Sequence, residues 1–345
     1  MITIRQLAKK ISLSPTTISM VLNSSPLARN IPEKTKKRVR AAAKRLGYTP
    51  NPFAISLFSR RSGTVAILLS DITDPYCATV LHGIDVSLYR SNYLPVILDI
   101  ENSRDKFKRS IQKLVDRRIE GIIGIANSTL LQTELLTTIK KRKLPVVLIG
   151  REMKGTEISS VSIKNEAGAY LAMRHLHDLG HRAIAFLKGP KDIVDSARRW
   201  EGIVRFTRER GLTIDPKLTV QLKSPGTSYE AGFIAARELL KRKREFTALL
   251  AFDDLAAFGA IRAFTQAGKR VPGDCSVVGF DDVTTATFYN PPLTTIRQPM
   301  EILGASAVEI FFELVSAFFE KRTAAPIHRE IEPKLVVRES TAPYT

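Results

Sequence analysis

The chain has 345 residues, of which 44% are hydrophobic and 25% charged, and its formal net charge is +19. This length predicts a small module beside a larger globular body. The two cysteines, Cys77 and Cys275, are far apart and form no CxxC or Cys/His spacing, so neither a disulfide framework nor a metal site is expected. No apolar leader opens the sequence and no run approaches about 18 apolar residues, which predicts a cytoplasmic protein.

The positive charge is concentrated in the first 61 residues. This segment contains thirteen Lys and Arg residues and one acidic residue, Glu33, giving +12 of the total charge. The rest of the chain has 40 basic and 33 acidic residues, a balance that is ordinary for a soluble domain. The N-terminal segment alone therefore has the electrostatic potential expected of a DNA-binding module.

Two short helices are predicted close to the N-terminus. Thr3 and Gln6 match a capping box and are followed by apolar residues at helical spacing. Ser14-Pro15 is a second start signal, with Ser as the N-cap and Pro in the first turn. A third helix is predicted to start near Pro32-Glu33 and to end at Gly47.

The second helix has the polarity expected of a DNA-reading helix. Its apolar residues Ile18, Val21 and Leu22 form one stripe, and small or polar side chains occupy the other positions. A helix with such a surface fits a major groove about 12 Å wide, which favours a helix-turn-helix. The alternative is a three-helix bundle with a solvated basic face. The side chains predicted to contact DNA in this module are Thr3, Ser14, Pro15, Thr16, Thr17, Ser19, Met20, Asn23 and Arg29.

Beyond residue 62, short apolar runs alternate with amphipathic segments. The runs are continuous rather than alternating, as expected when helices cover both faces of a parallel sheet. Two doubly wound α/β subdomains fit this pattern. The predicted strands lie at 65–69, 95–98, 121–125, 145–149, 183–187, 248–252 and 276–280, with helices near 76–91, 104–118, 165–179, 228–244 and 254–268.

Four stretches resemble the lactose-repressor (LacI/GalR) family of bacterial transcriptional regulators, and the resemblance continues over the whole chain. They are T-I-x-x-L-A, L-S-P-T-T-I-S-x-V-L-N, R-V-x-A-A-A-K-R-L-G-Y-T-P-N and A-x-S-L-F-S-R-R-S-G-T-V-A-I-L. The resemblance implies an all-α helix-turn-helix head with a hinge helix, followed by an α/β sensor of the two-lobed periplasmic-binding-protein type. It further implies a homodimeric repressor that binds a palindromic double-stranded DNA operator and responds allosterically to a small molecule.

The domain boundaries follow from the same resemblance. The head is expected at 1–49, the hinge helix at 50–62 and the effector-binding and dimerisation domain at 63–345. Its first lobe is expected at about 63–162 plus 293–326, and its second at 163–292 plus 327–345.

The hinge helices of a dimer would lie in the central minor groove, where Ala54 and Leu57 are expected to contact DNA. Leu57 matches a leucine that unstacks a base step in this family; the alternative is that it packs on the sensor.

Three departures from the family pattern affect the head. Met20 stands where Arg is usual, and Met cannot form the bidentate pair with guanine, so the operator is expected to differ from the common one. Ser12 stands where a turn glycine is usual, which predicts a strained or altered turn. The segment around Arg29 is longer than in many members, and Arg29 is expected to contact phosphate.

The resemblance also implies an effector site in the cleft between the lobes. The segment 71–76 looks like the family's D-x-x-N-P-F-F, so Asp71, Tyr76 and Cys77 are expected at the site, with Cys77 replacing an aromatic residue. The segment 195–202 resembles S-x-x-R-L-x-G and places Arg199 where it would clamp ligand oxygens. For Arg199 the alternative is a surface ion pair on a helix.

Carboxylates are expected to complete the site. Asp253 lies in the segment that matches an N-D pair, and Asp281 matches the G-Y/F-D-D pattern, so both are predicted to accept ligand hydroxyls. Thr227 stands where many sugar-sensing relatives have Phe or Trp, which weakens aromatic stacking. The predicted effector is a small polar metabolite, most simply a sugar or sugar derivative, with a polyol and other polar metabolites left open.

Two segments are candidates for a subunit interface. The helix at 76–90 and the apolar segment at 300–319 form such surfaces in the family, although the phenylalanines of the second segment suit a core equally well. Dimerisation is also expected because one helix-turn-helix reads too few base pairs to find a genomic site.

Other functional classes fit less well. A solute-binding protein would have a signal peptide and no basic head, and a non-specific nucleoid protein would leave the sensor without a role. A sugar-processing enzyme would use paired carboxylates, yet no nucleophile elbow, phosphate-binding loop or H-E-x-x-H motif is present, and the histidines are expected at the surface or at helix ends. No enzymatic activity, cofactor or membrane association is predicted.

Overall fold

The computed structural model describes residues 2–23, 26–48, 61–91, 93–101, 103–125, 144–151, 153, 156–223 and 228–344. The chain divides into two compact units: 1–63 with 118–120, here called the head unit, and the remainder, the sensor. Ala54, Leu57 and nearly all of the predicted hinge helix lie outside the described residues, as does Thr227.

The head unit contains the predicted helices. They are α1 (Ile4–Lys10), α2 (Pro15–Leu22), a 3-10 turn (Pro26–Asn30) and α3 (Glu33–Arg45). Both halves of the capping box are formed, since Thr3 Oγ1 accepts from Gln6 N and Thr3 N donates to Gln6 Oε1. Ser14 Oγ accepts from Thr17 N at 3.0 Å, and Pro15 opens α2. The core of the unit is Leu7, Ala8, Ile11, Ile18, Val21, Val39, Ala42 and Ala43.

The turn between α1 and α2 is strained at the predicted position. Ser12 has φ +49°, in the left-handed region where a side chain costs about 1–2 kcal/mol. Arg38 of α3 donates to the carbonyl of Ile11 at 2.6 Å, so α3 braces the turn that sets the angle between the first two helices.

The sensor has two lobes, each containing strands and helices. Its strands are β1 (Thr64–Leu69), β2 (Leu94–Asp99), β3 (Gly121–Ile125), β4 (Val146–Ile149), β5 (Ser159–Ile163), β6 (Ile184–Lys188), β7 (Thr219–Gln221), β8 (Ala248–Leu250), β9 (Ser276–Asp281), β10 (Thr294–Arg297), β11 (His328–Ile331) and β12 (Lys334–Val336). Its described helices are α4 (Pro75–Arg90), α5 (Arg104–Asp116), α6 (Asn165–Asp178), α7 (Val194–Glu209), α8 (Tyr229–Lys241), α9 (Asp254–Gln266), α10 (Thr285–Phe288) and α11 (Met300–Phe319).

These strands form two six-stranded sheets, one for each lobe. The first has the order β11-β5-β4-β3-β1-β2 and the second β12-β10-β9-β8-β6-β7. Every pairing is parallel except that of β10 with β12, so the second sheet is mixed rather than wholly parallel. The edge strand β2 is partly exposed, which corrects the expectation that helices cover both faces of every strand.

Sheet membership corrects the predicted lobe boundaries near the C-terminus. Residues 294–297 were assigned to the first lobe, but β10 pairs with β9 in the second sheet. Residues 328–331 were assigned to the second lobe, but β11 pairs with β5 in the first. The chain therefore returns to the first lobe only after residue 297 and leaves it again after residue 331.

Helix α11 belongs to the sensor core although, among the described helices, it alone is long and apolar enough to cross a membrane. Leu303, Ile310 and Phe311 are fully buried. The helix packs closely on α4, because a Cβ added at Gly83 would lie 2.3 Å from the Glu301 carbonyl oxygen. These contacts mark α11 as a core helix of the first lobe.

Candidate functional site

The second helix of the head presents a polar face. Ile18 and Val21 are buried, whereas Ser14, Pro15, Thr16 and Asn23 are exposed and Thr17, Ser19 and Met20 are half-exposed. Asn23 Nδ2 donates to Ser19 Oγ at 3.1 Å, so two of these side chains form a hydrogen-bonded pair one turn apart. Thr3 and Arg29 are also exposed. Small polar groups on such a surface are able to approach base edges.

The sensor collects its polar groups at the C-terminal ends of strands, where open α/β sheets bind ligands. Asp74 follows β1 and caps α4; Asp253 follows β8 and caps α9; Asp281 ends β9. Arg151 follows β4, and Arg199 projects from α7. The two lobes thus contribute to one cleft.

Arg199 of α7 is buried among the residues that the second lobe contributes to the site. Its Nε donates to Asn165 Oδ1 at 2.9 Å and its Nη1 to the Phe252 carbonyl at 2.6 Å, and Nη2 lies 3.4 Å from Asp281 Oδ1. Its guanidinium carbon is 3.6 Å from the centroid of the Phe280 ring. Three of five N–H groups are engaged, which fixes the guanidinium and leaves two donors for a ligand. The alternative of a surface ion pair is wrong.

Asp281 combines burial with an unusual backbone. Its φ is +123°, and its Oδ1 accepts from Gln298 Nε2 at 2.5 Å. Burial raises the pKa of Asp281 well above its usual range, with Arg199 opposing this and Asp253 adding to it.

Tyr76 joins the two lobes. It comes from α4 of the first lobe and is buried, and its pKa is raised by burial and then by Asp195 and other neighbours including Asp281. Asp195 and Asp281 belong to the second lobe, so the Tyr76 hydroxyl lies close enough to that lobe for its carboxyl groups to act on it electrostatically. A Cβ added at Gly150, whose φ is +85°, would lie 3.3 Å from the Tyr76 hydroxyl oxygen. The glycine therefore leaves room for the tyrosine side chain.

The other predicted first-lobe residues lie beside the cleft rather than in its centre. Cys77 is 1% exposed and its thiol lies 3.6 Å from Ser70 Oγ; burial raises its pKa to about 12. Asp71 is exposed and accepts from both the amide and the hydroxyl of Thr73. Asp71 therefore shapes the loop that leads into α4.

Several site residues were missed by the sequence reasoning. Asp195, buried on α7, accepts from Asn165 Nδ2 at 3.0 Å, and burial raises its pKa to about 6 against the opposing charges of Arg199 and Arg151. Arg151 Nε and Nη1 are buried without a hydrogen-bond partner in the described structure, and burial lowers the pKa of Arg151. A charged residue two positions after the β4 run was the available signal for Arg151.

Arg151 and Asp195 line a cavity of about 430 Å³ between the lobes, a volume that suits a small ligand. A smaller cavity of about 20 Å³, enough for one water molecule, lies beside Arg199 and is lined by Ser196, Trp200 and Phe252. Trp200 is half-buried and borders this cavity.

Asp254 and Asp282, which follow Asp253 and Asp281 in the sequence, stabilise the second lobe. Asp254 is fully buried and accepts from Thr295 Oγ1 and from Val283 N, and Asp282 pairs with Arg338 at 2.6 Å.

One histidine departs from expectation. His181 is buried, and its ring nitrogens lie within hydrogen-bond distance of Thr247, Ser276 and the Ala342 carbonyl, so the expectation of a surface or capping role is wrong there. Within the described residues no cluster of His, Cys, Asp and Glu is arranged to hold a metal ion.

Comparison with known proteins matches both units. Residues 3–51 match the family model described as bacterial regulatory proteins, lacI family, and 173–341 match a periplasmic binding protein-like domain. The HTH-type transcriptional repressor PurR of Aliivibrio fischeri is 32% identical over 99% of each chain. The PurR repressor of Pasteurella multocida is also 32% identical, over 99% of this chain and 98% of the relative.

Solved structures agree with this assignment. The Lac repressor dimer bound to operator and the anti-inducer ONPF is 26% identical and covers 99% of each chain, with a TM-score of 0.84. The transcriptional regulator CelR in complex with cellobiose is 28% identical over 99% of this chain and 100% of that one, with a TM-score of 0.74. This chain therefore belongs to the lacI family of bacterial regulatory proteins and is a DNA-binding transcriptional repressor, not an enzyme.

Proposed function

We propose that the repressor binds a palindromic operator as a homodimer, with α2 of each protomer in the major groove. The exposed polar face of α2, from Thr16 to Asn23, supports this reading role, and the basic residues of α3 supply charge for phosphate contacts. Arg29, exposed on the 3-10 turn, is assigned a phosphate contact. The operator-bound Lac repressor dimer, which matches over nearly the whole chain, supports the assembly.

Exposed apolar residues of the first lobe support the dimer interface. They lie on α4 and α11, the elements expected to form the subunit contact, and on the edge strand β2. Large apolar side chains exposed on elements that contact one another favour an interaction surface there. These residues are Val86, Tyr89, Leu94, Ile97 and Ile302. We assign them to the homodimer, which acts at the nucleoid within the cytoplasm.

A small polar metabolite, of the sugar or sugar-derivative class, is proposed to occupy the cleft and control operator affinity. The observation that carries this is the convergence of Tyr76, Arg199 and Asp281 from two lobes at the ends of parallel strands. Carboxyl and guanidinium groups beside aromatic rings suit hydroxyl-rich ligands. Related structures contain cellobiose and, in a LacI family regulator from Enterococcus faecium, ribose.

The test uses an operator selected from random DNA with the full-length protein. Fluorescence anisotropy on that operator is measured with and without a panel of sugars, amino sugars, polyols, nucleosides and nucleobases. One compound class is expected to shift operator affinity by a factor of about 5–150. If no compound changes it, ligand control through the cleft is refuted, whereas operator binding itself is scored separately.

A further inference from the structure

The cavity of about 430 Å³ lies where the chain first crosses from one lobe to the other. Residues 162–163, at the end of β5, and residues 164–167, which lead into α6, form one part of its wall. Val194 and Asp195, in the first turn of α7, form another. Arg151, which follows β4, also lines the cavity. Both lobes therefore contribute to the same enclosed space.

Arg151 brings unsatisfied hydrogen-bond donors to this cavity. Its Nε and Nη1 are buried and have no hydrogen-bond partner in the described structure. Burial lowers the pKa of Arg151, with the charge of Asp195 opposing the change. A guanidinium nevertheless stays protonated in proteins, and buried donors are normally satisfied. Arg151 is therefore a desolvated cation with two donors that an oxygen acceptor in the cavity would engage.

The other basic side chains of the lining have acidic partners. Arg205 Nη1 donates to Glu166 Oε1 at 2.7 Å, and Arg198 Nη1 donates to Glu201 Oε2 at 3.0 Å. Lys164 forms an ion pair with an acid outside the lining. Four basic and three acidic side chains line the cavity, so the balance of charge in the lining is positive.

The acid nearest to Arg151 in its electrostatic effect is bonded elsewhere. Asp195 Oδ1 accepts from Asn165 Nδ2 at 3.0 Å, and Asp195 supplies no hydrogen bond to the buried nitrogens of Arg151. In addition, neither α6 nor α7 has a side-chain hydrogen bond at its N-cap. The first N–H groups of a helix carry partial positive charge, so both first turns favour an anion in the space that Arg151 lines.

We propose that the effector carries an anionic group, a carboxylate as in a sugar acid or a phosphate as in a sugar phosphate, which accepts hydrogen bonds from Arg151 in this cavity. This inference deepens the proposed effector function of the cleft and rests on it. Asn165 lines the cavity and also accepts from Arg199 Nε at 2.9 Å, so one ligand can reach from Arg151 to the groups around Arg199.

An anion at this position would join the two lobes. Charge-assisted hydrogen bonds would link it to Arg151 of the first lobe, while the first turns of α6 and α7 lie in the second. Such a ligand has its highest affinity for the arrangement that keeps these groups close together. Binding therefore favours that arrangement of the lobes.

The test compares charged and neutral forms of the same sugar on the full-length protein. Gluconate, galactonate and mannonate, with the 6-phosphates of glucose, galactose and mannose, are titrated by isothermal calorimetry beside the three neutral hexoses. At least one anion is expected to bind about 10-fold or more tightly than its parent hexose, because only the anion forms charge-assisted bonds with Arg151. The acid and the phosphate of the same hexose decide which anionic group the cavity holds.

Arg151→Gln locates the charge requirement. The variant removes an unpaired buried charge, so it should fold, and urea denaturation checks this. It is expected to lose about 10- to 100-fold in affinity for the anion while changing the binding of the neutral hexose little. Arg174→Gln, a change at an exposed arginine of α6, is the matched control and should bind like the parent protein. The comparison of charged with neutral ligands on the parent protein does not depend on either variant.

The outcomes separate this inference from the proposed function. Equal or tighter binding of the neutral hexoses, full retention of anion affinity in Arg151→Gln, or no binding by any of the six anions overturns the anion assignment. If a neutral compound then alters operator affinity, the effector function of the cleft still stands. If no compound of either kind does so, both proposals fail.

Discussion

Met20 occupies the middle of the exposed face of α2, where it is half-exposed among Thr16, Thr17 and Asn23. A thioether contacts thymine methyl groups and other apolar surface but cannot donate hydrogen bonds to guanine. Base preference at the position it faces is therefore expected to come from shape and apolar contact.

Met20→Arg tests this assignment. The guanidinium should create a new preference for guanine at one symmetric position of each half-site, worth about 1–3 kcal/mol. Selection of operators from random DNA by the parent protein and the variant measures the change. An altered preference at several positions, or a uniform gain for all sequences, would contradict the placement of Met20 at base edges. Lys9→Arg, a basic-to-basic change on α1, serves as the control.

Asp254 illustrates how a buried carboxyl ties stability to pH. It is fully buried beneath the Asp281 loop, and burial raises its pKa to about 8, with the hydrogen bonds from Thr295 and Val283 opposing this. In the unfolded chain the same carboxyl is already ionised above about pH 5. The folded state therefore holds an extra proton from about pH 4 to pH 8, and stability must fall as pH rises through that window.

The expected result is a decline in the free energy of unfolding from about pH 6.5 to pH 8.5, at most about 1.4 kcal/mol per pH unit from this one proton. Asp254→Asn should flatten the decline because the amide does not titrate. The limit of pH 6.5 is at the upper end of the range in which His175 and His181 affect stability, because burial lowers the pKa of both in the folded protein and makes stability rise with pH up to the unfolded value of about 6.5. Urea denaturation across this range measures the difference; parallel slopes for the two proteins would refute the assignment.

The residues of the cleft were only partly predictable. Asp253, Asp281, Arg199 and Tyr76 follow strand ends or a motif, and the structure draws them together at one place. Asp195 could not be inferred, because its role depends on a contact with Asn165 across 30 residues of sequence.

At the scale of elements, the continuous apolar runs predicted seven strands that the structure contains. The missed strands have weaker signals: β5 reads Ser-Ser-Val-Ser-Ile, and its serines are buried only because neighbouring strands and the 327–331 segment satisfy them. The short strands β10 and β12 pair with each other in antiparallel fashion, a partnership between distant segments that local periodicity does not encode.

The contact of α4 with α11 gives a testable consequence of close packing. Gly83 lies against the backbone of Glu301. A Cβ added at Gly304 would lie 2.4 Å from the Val80 carbonyl oxygen. Gly83→Ala should destabilise the sensor by about 1–3 kcal/mol, because backbone atoms must move to admit a methyl group. Chemical denaturation measures this, with His82→Ala on the exposed face of the same helix as the control. Unchanged stability in Gly83→Ala would contradict the helix pairing.

At the scale of the whole molecule, a basic head is joined to a sensor whose chain passes repeatedly between two lobes. The chain passes from one sheet to the other after residues 163, 297 and 331. A ligand held by Tyr76 from one lobe and by Arg199 from the other can change the relation of the lobes only through its different affinity for their arrangements. That difference, typically about 1–3 kcal/mol, limits the control exerted over DNA binding.

Two α2 helices, one from each protomer, are proposed to read a symmetric operator together. Fluorescence anisotropy at near-physiological salt tests this with the full-length protein on a selected palindrome, its isolated half-site and random duplex DNA. We expect binding to the palindrome about 1,000-fold or more tighter than to random DNA, and a large loss on the half-site, because specific contacts from two heads add. Equal affinity for all three duplexes would contradict joint reading of the operator by two α2 helices.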